Sequence, residues 1–158
     1  MSPAEESDHE TDPPEVRRAS AWVLEIPSEA AYIGTARLFV GAVARQFGLD
    51  ESWVVDLKLA VSEACNAAIR VRETETEDRP IRIASRRDGT SLVFEVEDAV
   101  DPGSSPVATS TEDLVRGLGL ELIQALFPDA RISPGSGGSR SVQLYLPLSD
   151  ARSETSDR

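Results

Sequence analysis

The sequence predicts an α+β, two-layer sandwich: three amphipathic helices on one face of a mixed, largely antiparallel sheet. Three observations predict it. The element order reads β-α-α-β-β-loop-α-β-β. Two pairs of short β-branched runs are joined by turn-forming residues, which is the signature of hairpins. The helical stretches are apolar on one stripe only, so they must bury that stripe against a second layer.

The elements follow in order. Ala21-Trp22-Val23-Leu24-Glu25-Ile26 is short, aromatic and β-branched, and Pro27 stops it, so it reads as an edge strand. Ser28 is placed to N-cap a helix carrying Ala31, Ile33, Ala36, Phe39, Val40, Val43 and Phe47, with Gly48 as its C-terminal stop. Asp50 is placed to cap a second helix with Val54, Leu57, Val61, Ala64, Ala68 and Ile69 on apolar spacing. The run Glu73–Asp78, rich in acids, reads as a solvated loop. Ile81–Ala84 and Leu92–Val96 flank Asp88-Gly89 as a hairpin. A long loop, Asp98–Asp113, leads to a third helix from Leu118 to Phe127. Ala130–Ile132 and Val142–Leu146 form a closing hairpin around a Gly- and Ser-rich tip.

The 158 residues suit one domain. Residues 1–18, acidic and proline-containing, lack the apolar surface to offset their ordering entropy and read as a disordered leader, as does the tail 149–158; the domain is then 19–148. The net charge of −12 argues against direct nucleic-acid binding, which needs a basic face. One cysteine, Cys65, excludes an internal disulfide, and one histidine, His9, leaves a His-based triad or zinc site little to use. The N-terminus lacks the pattern of a signal peptide, and no apolar run approaches the ~18 residues of a membrane span, so a soluble cytoplasmic protein is expected.

Chemistry concentrates in two places. Asp56, Glu63, Asn66 and Arg70 form a polar stripe on the otherwise apolar second helix. Glu63 lies among small and apolar neighbours, where a carboxylate is either a solvated helix residue or a group held for chemistry. The third helix opens with Arg116-Gly117-Leu118-Gly119-Leu120. Two glycines there let backbone amides approach a phosphate at a helix N-terminus, or else make a tight turn against the sheet.

Taken together, Leu57-Lys58-Leu59-Ala60-Val61-Ser62-Glu63-Ala64-Cys65-Asn66-Ala67-Ala68-Ile69-Arg70, Glu97-Asp98, Gly117-Leu118-Gly119-Leu120 and Gly138-Ser139 resemble the N, G1, G2 and final boxes of the anti-sigma-factor serine kinases of the GHKL, or histidine-kinase-like, ATPase superfamily. The resemblance spans residues 20–148 and implies a Bergerat-type ATP-binding fold. It implies ATP and Mg²⁺ as cofactors and Glu63 as general base or water positioner. It implies Asn66 as the metal ligand, Asp98 at the adenine amino group, and Gly103, Gly117, Gly119 and Ser139 along the nucleotide. The family places its metal-binding asparagine four residues after the glutamate, where this chain has Ala67, and expects glycines where it has Val100 and Pro102. The implied partners are a sigma factor, an anti-anti-sigma (STAS-type) antagonist phosphorylated on serine, and a second copy of the chain, with Trp22, Ile26 and Phe39 as dimer candidates. A non-catalytic partner-switching protein on the same fold is the alternative. The ATP-binding module of a sensor histidine kinase is a weaker reading, since the chain shows no dimerisation helix or phospho-acceptor domain.

Overall fold

A computed structural model of the chain describes residues 21–72, 79–98, 119, 121–134 and 140–149. The expected leader, tail and acidic loop 73–78 lie outside them. So do 99–118 of the long loop and helix opening, and the hairpin tip 135–139.

Among the described residues five strands form one sheet: β1 (Trp22–Ile26), β2 (Ile81–Asp88), β3 (Ser91–Asp98), β4 (Arg131–Pro134) and β5 (Arg140–Pro147), in the order β1-β2-β3-β5-β4. The expected sandwich is present, and all four pairings are antiparallel. β1 lies at the edge, as its Pro27 stop predicts.

Side chains alternate across a strand, and here one parity is apolar. Ile81 and Ile83 of β2, Leu92, Phe94 and Val96 of β3, and Val142, Leu144 and Leu146 of β5 are buried on the face that meets the helices. Helix α1 (Ile33–Gln46) and helix α2 (Glu51–Arg72) cover that face with Ala36, Val40, Val54, Leu57, Ala60, Val61 and Ala68. A third helix, α3, is described at 119 and 121–126 and adds Ile123.

The junction between α1 and α2 is built from sequence signals. Gly48 takes φ +75°, its amide donates to the Arg45 carbonyl at 2.9 Å, and the Leu49 amide donates to Ala44 at 3.1 Å. That pair of bonds is a Schellman motif, and it needs a residue free of the Cβ penalty at positive φ. Leu49, buried, closes the turn against the core. Arg45 on the last turn of α1 makes a two-pronged bond to Glu51 on the first turn of α2, at 2.6 and 3.0 Å. Each charge also suits the dipole of its helix end. The Arg45 guanidinium holds the Glu51 carboxyl below its usual range.

Two local expectations are corrected. Ser28 does not cap α1; its hydroxyl donates to the Arg79 carbonyl, tying the end of β1 to the entry of β2. A 3-10 turn at Ala30–Tyr32, with Glu29 as N-cap and no side-chain cap, leads into α1 instead. The β2–β3 hairpin turns on Gly89-Thr90, one residue beyond Asp88-Gly89, because Asp88 still pairs with Ser91. Gly89 at φ +57° occupies the first loop position, as a type II′ turn requires.

Candidate nucleotide site

α2 and α3 meet at two places. Trp53 near the start of α2 packs on Phe127 just past α3, ring centroids 5.9 Å apart. Ten residues further along α2, about 15 Å at 1.5 Å per residue, Glu63 meets Gly119. A Cβ built on Gly119 would lie 3.5 Å from Glu63 Oε2, so the carboxylate faces the α3 backbone at ordinary contact distance. The two helices therefore run side by side in opposite senses over the sheet, and the Glu63 end opens towards the ends of β3 and β5.

A hollow of about 50 Å³ lies there. α2 contributes Glu63, Ala64, Ala67 and Ala68, α3 contributes Gly119 and Ile123, and the sheet contributes Val96, Asp98, Ile132, Arg140 and Val142. This volume is a few water molecules, the floor of a ligand site. The flanking segments expected around a nucleotide, 99–118 and 135–139, lie outside the described residues, and with them Gly103, Gly117 and Ser139.

The expected site residues thus divide. Glu63, Asp98 and Gly119 come together in one hollow. Asn66 is not among the lining residues, whereas Ala67 is. Successive helix residues differ by about 100° in direction, so if position 67 faces the hollow, position 66 turns from it. The Asn66 carbonyl accepts the Arg70 Nε at 3.3 Å. Of the polar stripe predicted on α2, only Glu63 reaches the site.

One residue of the hollow was not singled out from sequence: Arg140, at the start of β5. A signal was available, since Val142, Leu144 and Leu146 point to the helices and parity sends residue 140 the same way. Arg140 stands directly across from Asp98 in the β3–β5 register. Glu63 is half-buried and Asp98 is 7% exposed. Neither Glu63 nor Arg140 has a side-chain hydrogen bond or ion pair among the described residues.

The donor set fits part of a purine nucleotide: a carboxylate acceptor, a guanidinium donor and a close helix backbone around an apolar floor of Val96, Ile123 and Val142. It does not fit the implied metal ligand, because the position facing the hollow carries alanine. Among the described residues no group of three or more His, Cys, Asp or Glu gathers where a cation would sit. Cys65, next to the lining residue Ala64, is fully buried, and burial pushes its thiol up to about 12. It is protonated at neutral pH and packs as a small apolar group.

A helix pair over an antiparallel sheet, with a glutamate and a glycine of the third helix converging on a hollow, defines a class. The chain belongs to the histidine kinase-like ATPase domain family, which it matches over residues 26–145. Within that class it is similar to the serine-protein kinase RsbW of Bacillus velezensis, 30% identical over 135 residues, covering 78% of this chain and 84% of that protein. It is 28% identical to the serine-protein kinase RsbW of Bacillus subtilis, with the same coverage. Among solved structures it resembles the RsbU and RsbW domains of Rv1364c from Mycobacterium tuberculosis, with a TM-score of 0.62 and 20% identity. That likeness covers 83% of this chain and 33% of the other, and it shows the fold. Among the described residues no helix is long and apolar enough to cross a membrane.

Proposed function

We propose that the chain is a cytoplasmic anti-sigma regulatory factor that binds a sigma factor and uses ATP to phosphorylate a serine on its anti-anti-sigma antagonist. The observation that carries this reading is the convergence of Glu63, Asp98 and Gly119 on one hollow. The similarity to serine-protein kinases supports it.

In this reading Asp98 accepts a hydrogen bond from the adenine amino group, and the apolar floor takes the ring. ATP, when bound, supplies the phosphoryl group. Glu63, facing the α3 backbone, accepts the proton of the attacking serine hydroxyl at a carboxylate oxygen. Such proton transfer contributes roughly 10²–10⁴-fold in rate, and positioning supplies most of the rest. Ala67 has no side-chain amide, so this position would not hold a metal ion as the family's asparagine would.

That same alanine favours a second reading, a non-catalytic binding protein that holds its partner by surface contact alone. Titration of the purified chain with Mg-ATP separates the two. The kinase reading expects measurable heat and a thermal upshift below millimolar nucleotide; a flat titration with no shift leaves only the binding protein.

The partner surface has support of its own. Leu38 on α1 is 73% exposed, Val55 on α2 is 61% exposed, and Leu59, one turn after Val55, is exposed too. Arg37 donates to Ser62 at 3.1 Å, and Lys58 packs over Gly41, so α1 and α2 run antiparallel and hold these side chains on the outside of the helix layer. Exposed apolar groups gathered in this way mark protein contacts.

A second copy of the chain is part of the proposal. β1 is an edge strand whose Trp22 is 50% exposed and whose Val23 is 44% exposed, an edge that another chain can cover. Light scattering at tens of micromolar is expected to give twice the chain mass, and a monomer mass removes the dimer.

A further inference from the structure

The geometry points to Arg140 as a specificity-determining residue at the base end of the nucleotide site, paired in function with Asp98. This rests on the nucleotide reading proposed above and adds a residue to it. Asp98 and Arg140 are direct partners in the β3–β5 register. Directly opposed residues of an antiparallel pair share a face and hold their Cβ atoms about 4.5–5.5 Å apart. Both line the hollow, and the Arg140 guanidinium has no partner among the described residues.

The chemistry of the two groups is complementary. An ionised carboxylate only accepts hydrogen bonds, and a guanidinium only donates them. Side by side they match an edge that presents a donor next to an acceptor. Adenine presents that edge, an exocyclic amino group beside a ring nitrogen. Asp98 takes the amino group and Arg140 donates to the ring nitrogen. Arg140 is also the only basic side chain among the described residues lining the hollow.

The test uses the whole chain, with adenosine followed by NMR titration and Mg-ATP by calorimetry, for the wild type, Arg140→Gln and Arg140→Lys. Base-end recognition expects Arg140→Gln to weaken adenosine and ATP by the same factor, about tenfold for one lost charge-assisted bond. Arg140→Lys, which keeps the charge but not the planar fork, should fall between, and it carries the comparison if the glutamine variant does not fold. A loss seen with ATP and absent with adenosine would assign the guanidinium to the phosphates and overturn the proposal. Adenosine binding that is unchanged or tighter in Arg140→Gln would overturn it too, showing an arginine that is idle or that shields Asp98. Failure of the nucleotide reading itself looks different: the wild type then binds neither ligand, and the proposal falls with it.

Discussion

Glu63→Ala is expected to reduce phosphoryl transfer to the antagonist's serine by two to four orders of magnitude, with the affinity for Mg-ATP changed by less than about threefold. The asymmetry follows from where the side chain sits. Glu63 Oε2 lies near the α3 backbone at Gly119, whereas the groups suited to the base, Asp98 and Arg140, stand on the sheet. Removing the carboxylate takes away the proton acceptor and leaves the apolar floor and the base-end pair in place. Its loss also removes a negative charge from the neighbourhood of the phosphates, so nucleotide affinity has no reason to fall. Glu63→Gln separates charge from shape: it keeps the side chain's size and cannot accept the proton as a carboxylate does, so it should match Glu63→Ala in rate. Single-turnover transfer of labelled phosphate, read beside calorimetric affinity, decides the matter. Transfer at the wild-type rate in both variants would make Glu63 an ordinary half-exposed helix residue.

The elements of this fold were legible because their signals are local. Gly48 announces the end of α1, and the structure puts it at positive φ inside a Schellman turn. The alternation through Ile81 and Ile83 and through Leu92, Phe94 and Val96 marks which sheet face meets the helices. Ser28 carries a capping signal in isolation, as a serine before a helical pattern, while its partner, the Arg79 carbonyl, lies 51 positions away in sequence. At the site, Glu63 stood out as a carboxylate on an apolar helix, and Gly119 as a glycine at a helix start. The family resemblance points to Asn66 as metal ligand, and a one-residue offset on a helix turns it from the hollow that Ala67 lines. Arg140 was passed over because it follows a Gly- and Ser-rich stretch that reads as loop. Only the register with Asp98, a contact across two strands, brings it into the site.

Among the described residues, the core cluster lies on one side of the sheet that carries Asp98 and Arg140, and Phe94→Ala is the substitution that tests this most severely. Phe94 lies in β3, flanked by β2 and β5, paired with Ser85 and Leu144, and it is fully buried in the cluster formed with the helices. Truncating a buried phenylalanine costs roughly 3–5 kcal/mol, from lost transfer energy and the cavity left behind. Against a total stability of roughly 5–15 kcal/mol for a domain, the variant should melt far below the wild type or fail to fold. Val93 provides the control. It adjoins Phe94 in the same strand and is 1% exposed, yet strand alternation turns it to the opposite face, where it pairs with Arg86 and Tyr145, outside the helix-facing core. Val93→Ala removes two methyl groups, at about 0.8 kcal/mol each, and its neighbours there are long polar side chains that can relax into the space. Urea unfolding of the two variants should therefore show a loss for Phe94→Ala at least twice that for Val93→Ala. Equal losses would mean that the outer face of the sheet is packed as tightly as the inner one, and a two-layer sandwich would no longer describe how this chain is held together.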